Sequence, residues 1–147
     1  MNFNIVVKDI NKLKTDEVSA IWLRLSHEEP SRLNDNMRCE LHRRYHVPEP
    51  EPQKSIQLAL VWFNYLLSAW VATRPWKEKF KGEEIDVQTV ECFTDPELRN
   101  RGLAMLGLQA LISAGVVDRN KPIAVYSKPA ERLAARCGCT FVILCDP

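Results

Sequence analysis

Apolar and polar positions alternate at two periods along this chain, and the switches between them predict a mixed set of strands and helices. Asn4 to Lys8 reads as a strand, because Ile5, Val6 and Val7 are strong β-formers. Val18, Ile21, Trp22 and Leu25 then recur at helical spacing, so a helix runs from Thr15 to about Glu28. Thr15 is its expected N-cap, with Asp16 and Glu17 in the first turn, and Pro30 stops it. Ser31 caps a second expected helix that reaches about Tyr45 and carries Leu33, Met37 and Leu41. Pro48, Pro50 and Pro52 follow at alternate positions, which predicts a stiff extended loop.

Beyond the loop, Ile56 to Phe63 and Tyr65 to Thr73 read as paired strands turning at Asn64. Pro75 ends the second, and Trp76 to Glu84 reads as a charged connection with a Lys81-Gly82 turn. Asp86 to Phe93 is the next strand, and Leu103 to Val117 the next helix, ending near Gly115 or Asn120. Pro122 to Tyr126 is a short buried strand. Ser127 to Arg136 is a helix with Pro129 in its first turn and Gly138 as its stop. Thr140 to Cys145 is the last strand. The order β-α-α-β-β-β-α-β-α-β predicts an α+β (α/β mixed sheet) fold: one domain over residues 1–147, a central mixed sheet flanked by helices.

Composition narrows the function classes. A formal net charge of +1 gives no electrostatic case for nucleic acid as a partner. The apolar run Leu58 to Ala72 is shorter than the roughly 20 residues of a membrane helix, and Asn64 and Ser68 interrupt it, so no membrane role is expected. Met1 to Lys8 lacks the long apolar core of a signal peptide. The five cysteines, Cys39, Cys92, Cys137, Cys139 and Cys145, have irregular spacing. They read as reduced, mostly core residues of a cytoplasmic protein. Cys137-Gly138-Cys139 has neither a second pair nor a nearby His, and His27, His42 and His46 are scattered, so no metal site is expected. Trp22, Trp62 and Trp70 read as packing residues.

The most informative stretch is Thr94-Asp95-Pro96-Glu97-Leu98-Arg99-Asn100-Arg101-Gly102-Leu103-Ala104, between a strand and a helix. The first N–H groups of a helix lack intrahelical partners, and the helix dipole favours an anion there. Gly102 allows close backbone approach, while Arg99 and Arg101 add positive charge. One glycine is too few for a dinucleotide fingerprint, and the Gly-Lys-Ser/Thr of a Walker loop is absent.

Arg99-x-x-Gly102-x-Ala104, following a strand and a proline, resembles motif A of the GNAT superfamily of acetyl-CoA-dependent N-acetyltransferases. The order of elements also resembles that fold, except that the family's usual seventh strand is missing before Pro147. The resemblance implies an N-acyltransferase that moves an acetyl group from acetyl-CoA, as cosubstrate, to a primary amine by direct attack, with no metal. The acceptor is a small molecule or a protein. In the family, coenzyme lies in a splay between the fourth and fifth strands. Carried over, the backbone of Phe93 and Thr94 contacts the pantetheine arm, and Arg99, Asn100, Arg101, Gly102, Leu103 and Ala104 hold the pyrophosphate. Glu91 stands where many members carry an acid on the fourth strand, and is the expected base. Family members often carry an acidic Tyr four residues before a Gly; counted back from Gly138, that position is Ala134. Tyr126, with Ser127 beside it as a relay, is the substitute candidate, and Asp86 and Gln88 are weaker catalytic candidates. Glu49 and Glu51 in the proline loop would favour a cationic acceptor. The absent Tyr and seventh strand keep open a catalytically degenerate member acting as a binding or structural module. The unfinished sheet edge offers strand pairing into a homodimer.

Overall fold

The computed structural model describes residues 2–25, 41 and 56–144. The elements are β1 (Asn4–Asp9), α1 (Thr15–Leu25), β2 (Gln57–Phe63), β3 (Leu66–Phe80), β4 (Glu83–Thr94), α2 (Leu103–Ser113), β5 (Ile123–Val125), α3 (Lys128–Arg136) and β6 (Phe141–Ile143). They form one six-stranded sheet in the order β1-β2-β3-β4-β5-β6. The first four strands are antiparallel, and β5 and β6 join in parallel. The expected mixed α+β sheet is therefore present. Except for Leu41, which is buried in the core, the expected second helix and the proline loop lie outside the described residues. So do all three histidines, Cys39, Cys145, Glu49 and Glu51.

Strand alternation divides the core in two. Leu58, Leu60, Trp70, Ala72 and Phe93 meet Val18, Ile21 and Leu25 of α1 on one face. Ala59, Val71 and Val90 meet Leu108, Leu111, Leu133 and Ala134 of α2 and α3 on the other. Helix α2 lies very close to the sheet because Gly107 has no side chain; a Cβ there would stand 2.7 Å from Val71 Cγ2. The helix ends at Ser113, and Gly115 takes a left-handed φ of 76° as its stop.

Several local expectations are corrected. Pro75 does not end β3, which runs on to Phe80 and pairs with β4 down to the Phe80–Glu83 closing pair. β2 flanks β3 only as far as Thr73, so Pro75 occupies an edge, where a missing N–H costs no bond to β2. The charged connection is thus a long hairpin closed by Lys81 and Gly82, at φ 52° and 82°. Thr15 is the first helical residue rather than the cap; the Glu17 carboxylate caps instead, accepting from Lys14 N at 2.8 Å and pairing with Lys8 Nζ at 2.7 Å. Trp22 is not core but 44% exposed, while Trp70 is buried. β6 lies directly beside β5, and among the described residues its outer edge carries no strand.

Gln88, a weak catalytic candidate by position, proves to be a structural bracket. Its Nε2 donates to the carbonyls of Asp118 (2.8 Å) and Lys121 (3.0 Å), and its Oε1 accepts from Asp118 N (2.8 Å). Its backbone N–H donates to Pro122 O. These bonds tie β4 to the loop that leads into β5.

Two substitutions test this architecture. Gln88→Leu leaves buried backbone groups unpaired and should destabilise by roughly 3 kcal/mol, read as a lower midpoint in urea unfolding. Gly107→Val should cost about 1–3 kcal/mol by overpacking Val71, whereas a merely permissive glycine would tolerate it.

Candidate functional site

The parallel ladder between β4 and β5 is two residue pairs long, Gln88 with Ile123 and Thr89 with Ala124. β4 continues to Thr94 while β5 ends at Val125, so Val90 to Thr94 have no β5 neighbour and a gap opens between the strands. Gln88 N donates towards β5, to Pro122 O, and Asp95 N donates towards β3, to Ser68 O. Beyond the last ladder pair, alternation turns the backbone of Cys92 and Thr94 toward the gap, where Arg99 Nε donates to Thr94 O at 3.5 Å. The backbone of Glu91 and Phe93 faces β3. Phe93 contributes shape instead: its ring stacks on Trp70 with centroids 4.5 Å apart.

The turn leaving β4 is built for a bare helix start. Asp95 Oδ1 accepts from Glu97 N at 3.0 Å, and Leu98 N donates to Asp95 O at 2.8 Å, which rolls the chain through one 3-10 turn. Asn100 and Gly102 then take left-handed φ of 65° and 74°. Helix α2 starts at Leu103 with no side-chain cap, so its first-turn amides point out beside Gly102. Nothing lies within 4 Å of a Cβ added at Gly102, so the approach to these amides is open. Arg99, Asn100, Arg101 and Gly102 are all exposed. Leu103 is buried with Val61 and Ala69 and anchors the helix start, and Ala104 is half-buried. The pyrophosphate residues expected from sequence are thus brought together on one open turn.

A residue that no sequence pattern marked supports this turn. Arg24, in the last turn of α1, reaches Asp95 Oδ2 at 3.1 Å and lies over the Phe93 ring at 5.6 Å. The two partners are 71 positions apart, and only the fold brings them together.

The proton-transfer candidates fall on the α1 face. Glu91 is half-buried there, in the same alternation as Thr89 and Phe93. Tyr126 follows β5 on that face, 42% exposed, and its hydroxyl donates to Glu78 Oε1 at 2.8 Å. Ser127 Oγ accepts from Ala130 N at 3.3 Å and caps α3, which gives the serine a structural task. Ala134 is buried against the sheet, so no hydroxyl comes from that position. Asp86 sits on the exposed hairpin near Lys77.

Of the described cysteines, Cys137 and Cys139 are buried as expected, but Cys92 is exposed. It keeps solvent contact although protein atoms crowd around the sulfur. That burial pushes its thiol up to about 12, with Glu91 and Cys137 adding to the effect. Burial likewise raises Cys137 and Cys139. Among the described residues no cluster of three His, Cys, Asp or Glu could hold a metal ion, and no helix is long and apolar enough to cross a membrane. Two described cavities, of about 840 and 610 Å3, lie away from the gap; Thr73 and Lys121 line the first, Lys8 and Trp62 the second.

No protein-family model and no curated protein matches the sequence. Solved structures do match. A predicted acetyltransferase with acetyl-CoA from Clostridium acetobutylicum is 14% identical, with a TM-score of 0.51 over 93% of this chain and 89% of that one. The aminoglycoside N-acetyltransferase AAC(6')-Iy in complex with CoA is 13% identical over 99% of this chain and 78% of that one, with a TM-score of 0.49. Glucosamine-6-phosphate N-acetyltransferase from Arabidopsis thaliana is 10% identical over 99% and 84%, with a TM-score of 0.44. The likeness to the clostridial protein carries the assignment: this chain has the GNAT acetyltransferase fold.

The raised Cys92 thiol gives a direct check. At pH 8 it should hold about a thousandfold less thiolate than an unperturbed cysteine. Iodoacetamide labelling at Cys92, followed by peptide mass spectrometry, should be correspondingly slow despite exposure and should accelerate as pH rises beyond 9. Labelling at the rate of free cysteine would refute the crowded environment.

Proposed function

We propose that this protein is an N-acyltransferase that transfers an acetyl group from acetyl-CoA to a primary amine by direct attack. One observation carries the reading: the β4–β5 ladder stops after Thr89 and Ala124, and the freed strand leads through one turn to an uncapped helix N-terminus. An anion at that terminus and an extended chain beside that strand are the two demands of a coenzyme A arm. Arg99, Asn100, Arg101 and Gly102, with the amides of Leu103 and Ala104, hold the pyrophosphate. The gap-facing backbone of Cys92 and Thr94 pairs with the pantetheine amides in the manner of an added strand. This moves the backbone contact expected of Phe93 to its two neighbours.

Glu91, on the acceptor side, takes the proton that an ammonium group must lose before attack. Polarisation of the acetyl carbonyl by a gap-facing N–H stabilises the negative charge that develops on its oxygen. The unbridged Cys92, Cys137 and Cys139 support a reducing, cytoplasmic setting. A second reading, a coenzyme-binding module without turnover, is favoured by one observation: Ala134 is buried where the family's acid often stands.

Calorimetry with acetyl-CoA and with free coenzyme A tests the cradle. Micromolar binding is expected, weakened about 10- to 100-fold by Arg99→Glu or Gly102→Glu, the worth of one or two charge-assisted contacts. No binding at millimolar ligand would sink the proposal. Release of coenzyme A thiol on a panel of amines should fall about a hundredfold in Glu91→Gln. Tight binding with no release from any amine would select the binding module.

A further inference from the structure

Among the described residues β1 has a single neighbour, β2, and their register is unbroken from Asn4–Trp62 to Asp9–Gln57. The backbone phase of β1 is fixed. Ile10 N donates to Ile56 O at 2.9 Å, one step beyond that ladder, so the alternate residues Lys8, Val6 and Asn4 turn their N–H and C=O groups to β2. Those of Ile5, Val7 and Asp9 point outward.

An exposed strand edge pairs with another strand unless charge, proline or a bulge prevents it. The long hairpin carries such guards. Beyond β2 the β3 edge holds Pro75 and the exposed Lys77 and Lys79, and below β5 the β4 edge holds the exposed Glu83, Glu84 and Asp86. β1 has no proline and no bulge, and its middle is Ile5-Val6-Val7. Its two charges are turned back on their own chain. Lys8 Nζ bonds to Glu17 Oε1 at 2.7 Å, and the Asp9 carboxylate accepts from Asn11 N and Gln57 Nε2, each at 2.8 Å. Ile5 and Val7 pack half-buried on the α2 face, while Val6 lines the 610 Å3 cavity on the α1 face with Ala20 and Trp62. The outer edge of β6 is only three residues long.

A second β1 strand meets these constraints when it lies antiparallel across a twofold axis. The outward phase sets odd residues opposite odd ones and even opposite even. Centred on Val7, the pairing would put Asp9 opposite Ile5. Centred on Ile5, it would pair only Asn4 to Val6 within β1. Centred on Val6, it sets Ile5 opposite Val7, Asn4 opposite Lys8 and Val6 opposite its own copy. Ile5 N–H then donates to Val7 O and Val7 N–H to Ile5 O, and the axis repeats both bonds. No like charges face each other in this register.

We infer that the β1 edge is an interface between two copies of this chain, joined antiparallel about Val6 into one continuous sheet. Strands β2 and β3 separate it from β4, so the pairing leaves the β4–β5 gap open and does not depend on coenzyme binding.

Sedimentation velocity and directed cross-linking of the full chain test the pairing. Wild type should sediment with the mass of two 16.9 kDa chains. Val7→Pro removes an outward donor and takes no bond from β2, so it should raise the dimer dissociation constant at least about tenfold, with circular dichroism checking the fold. Val6→Cys puts two thiols across the axis at a pair outside the hydrogen-bonded rings, where Cα atoms stand about 4.5 Å apart, within disulfide reach. Oxidised glutathione should therefore give a covalent dimer of Val6→Cys, with peptide mass spectrometry locating the bond between the introduced thiols. Ile5→Cys and Val7→Cys should give none, because their copies are offset along the strands. A monomer at every concentration, an unchanged dissociation constant in folded Val7→Pro, or cross-linking of Ile5→Cys or Val7→Cys in place of Val6→Cys would each overturn the interface. Should Val7→Pro not fold, the three cysteine variants decide alone.

Discussion

The short parallel ladder between β4 and β5 is the constraint on which the rest of the site depends. Two opposed anchors keep it short. At the root, Gln88 grips the backbone of Asp118 and Lys121, and its own N–H bonds to Pro122. At the far end, Asp95 N bonds to Ser68 O on β3, and β4 remains paired with β3 throughout. β4 is thus held to one neighbour along its length and released by the other after Thr89. Unpaired backbone groups inside a sheet are costly unless water or a ligand reaches them. Here they border an open gap, the one setting in which a central strand can leave them available.

Charge around the turn follows from the same economy of parts. Asp95 is needed to roll the chain, because its carboxylate accepts from Glu97 N. Left alone, that carboxylate would oppose any anion at the start of α2. Arg24 offsets it from α1, with the guanidinium fixed between Asp95 and the Phe93 ring. The turn therefore keeps its Asx geometry while Arg101 stays exposed and Arg99, also exposed, donates from Nε to Thr94 O at 3.5 Å. The ion pair also links α1 to the end of β4, since Arg24 lies over the Phe93 ring and Phe93 stacks on Trp70.

Much of this was readable in the chain because it is local. The strand before Thr94, the turn and the helix from Leu103 follow from periodicity and from glycine's access to left-handed φ. So do α3, with Ser127 as its cap, and the turn at Asn64. What escaped was non-local or depended on edges. Pro75 reads as a strand end only if β3 is assumed to be flanked on both sides there; the stop of β2 at Gln57 decides otherwise. The hairpin beyond it looked like a charged linker because neither of its faces is fully buried, so its alternation is weak. Trp22 fits the apolar stripe of α1 by spacing, yet it lies at the margin of that stripe and stays exposed. Gln88, Arg24 and Glu78 find their partners 30, 71 and 48 positions away, and nothing in their local sequence announces those contacts.

Alternation along β4 separates three tasks on one strand. In the plane of the sheet, Cys92 and Thr94 turn backbone groups toward the gap. Out of the plane, odd positions face α1 and even positions face α2 and α3. A side-chain change at Glu91 therefore alters the α1 face and leaves the gap-facing backbone in place. A change at Cys92 alters the opposite face, where the sulfur is crowded by protein atoms and Cys137 lies nearby. The same alternation reaches β5, where Thr89 stands opposite Ala124; Tyr126 follows two residues later, and its hydroxyl bonds to Glu78 of the hairpin rather than to α2 or α3.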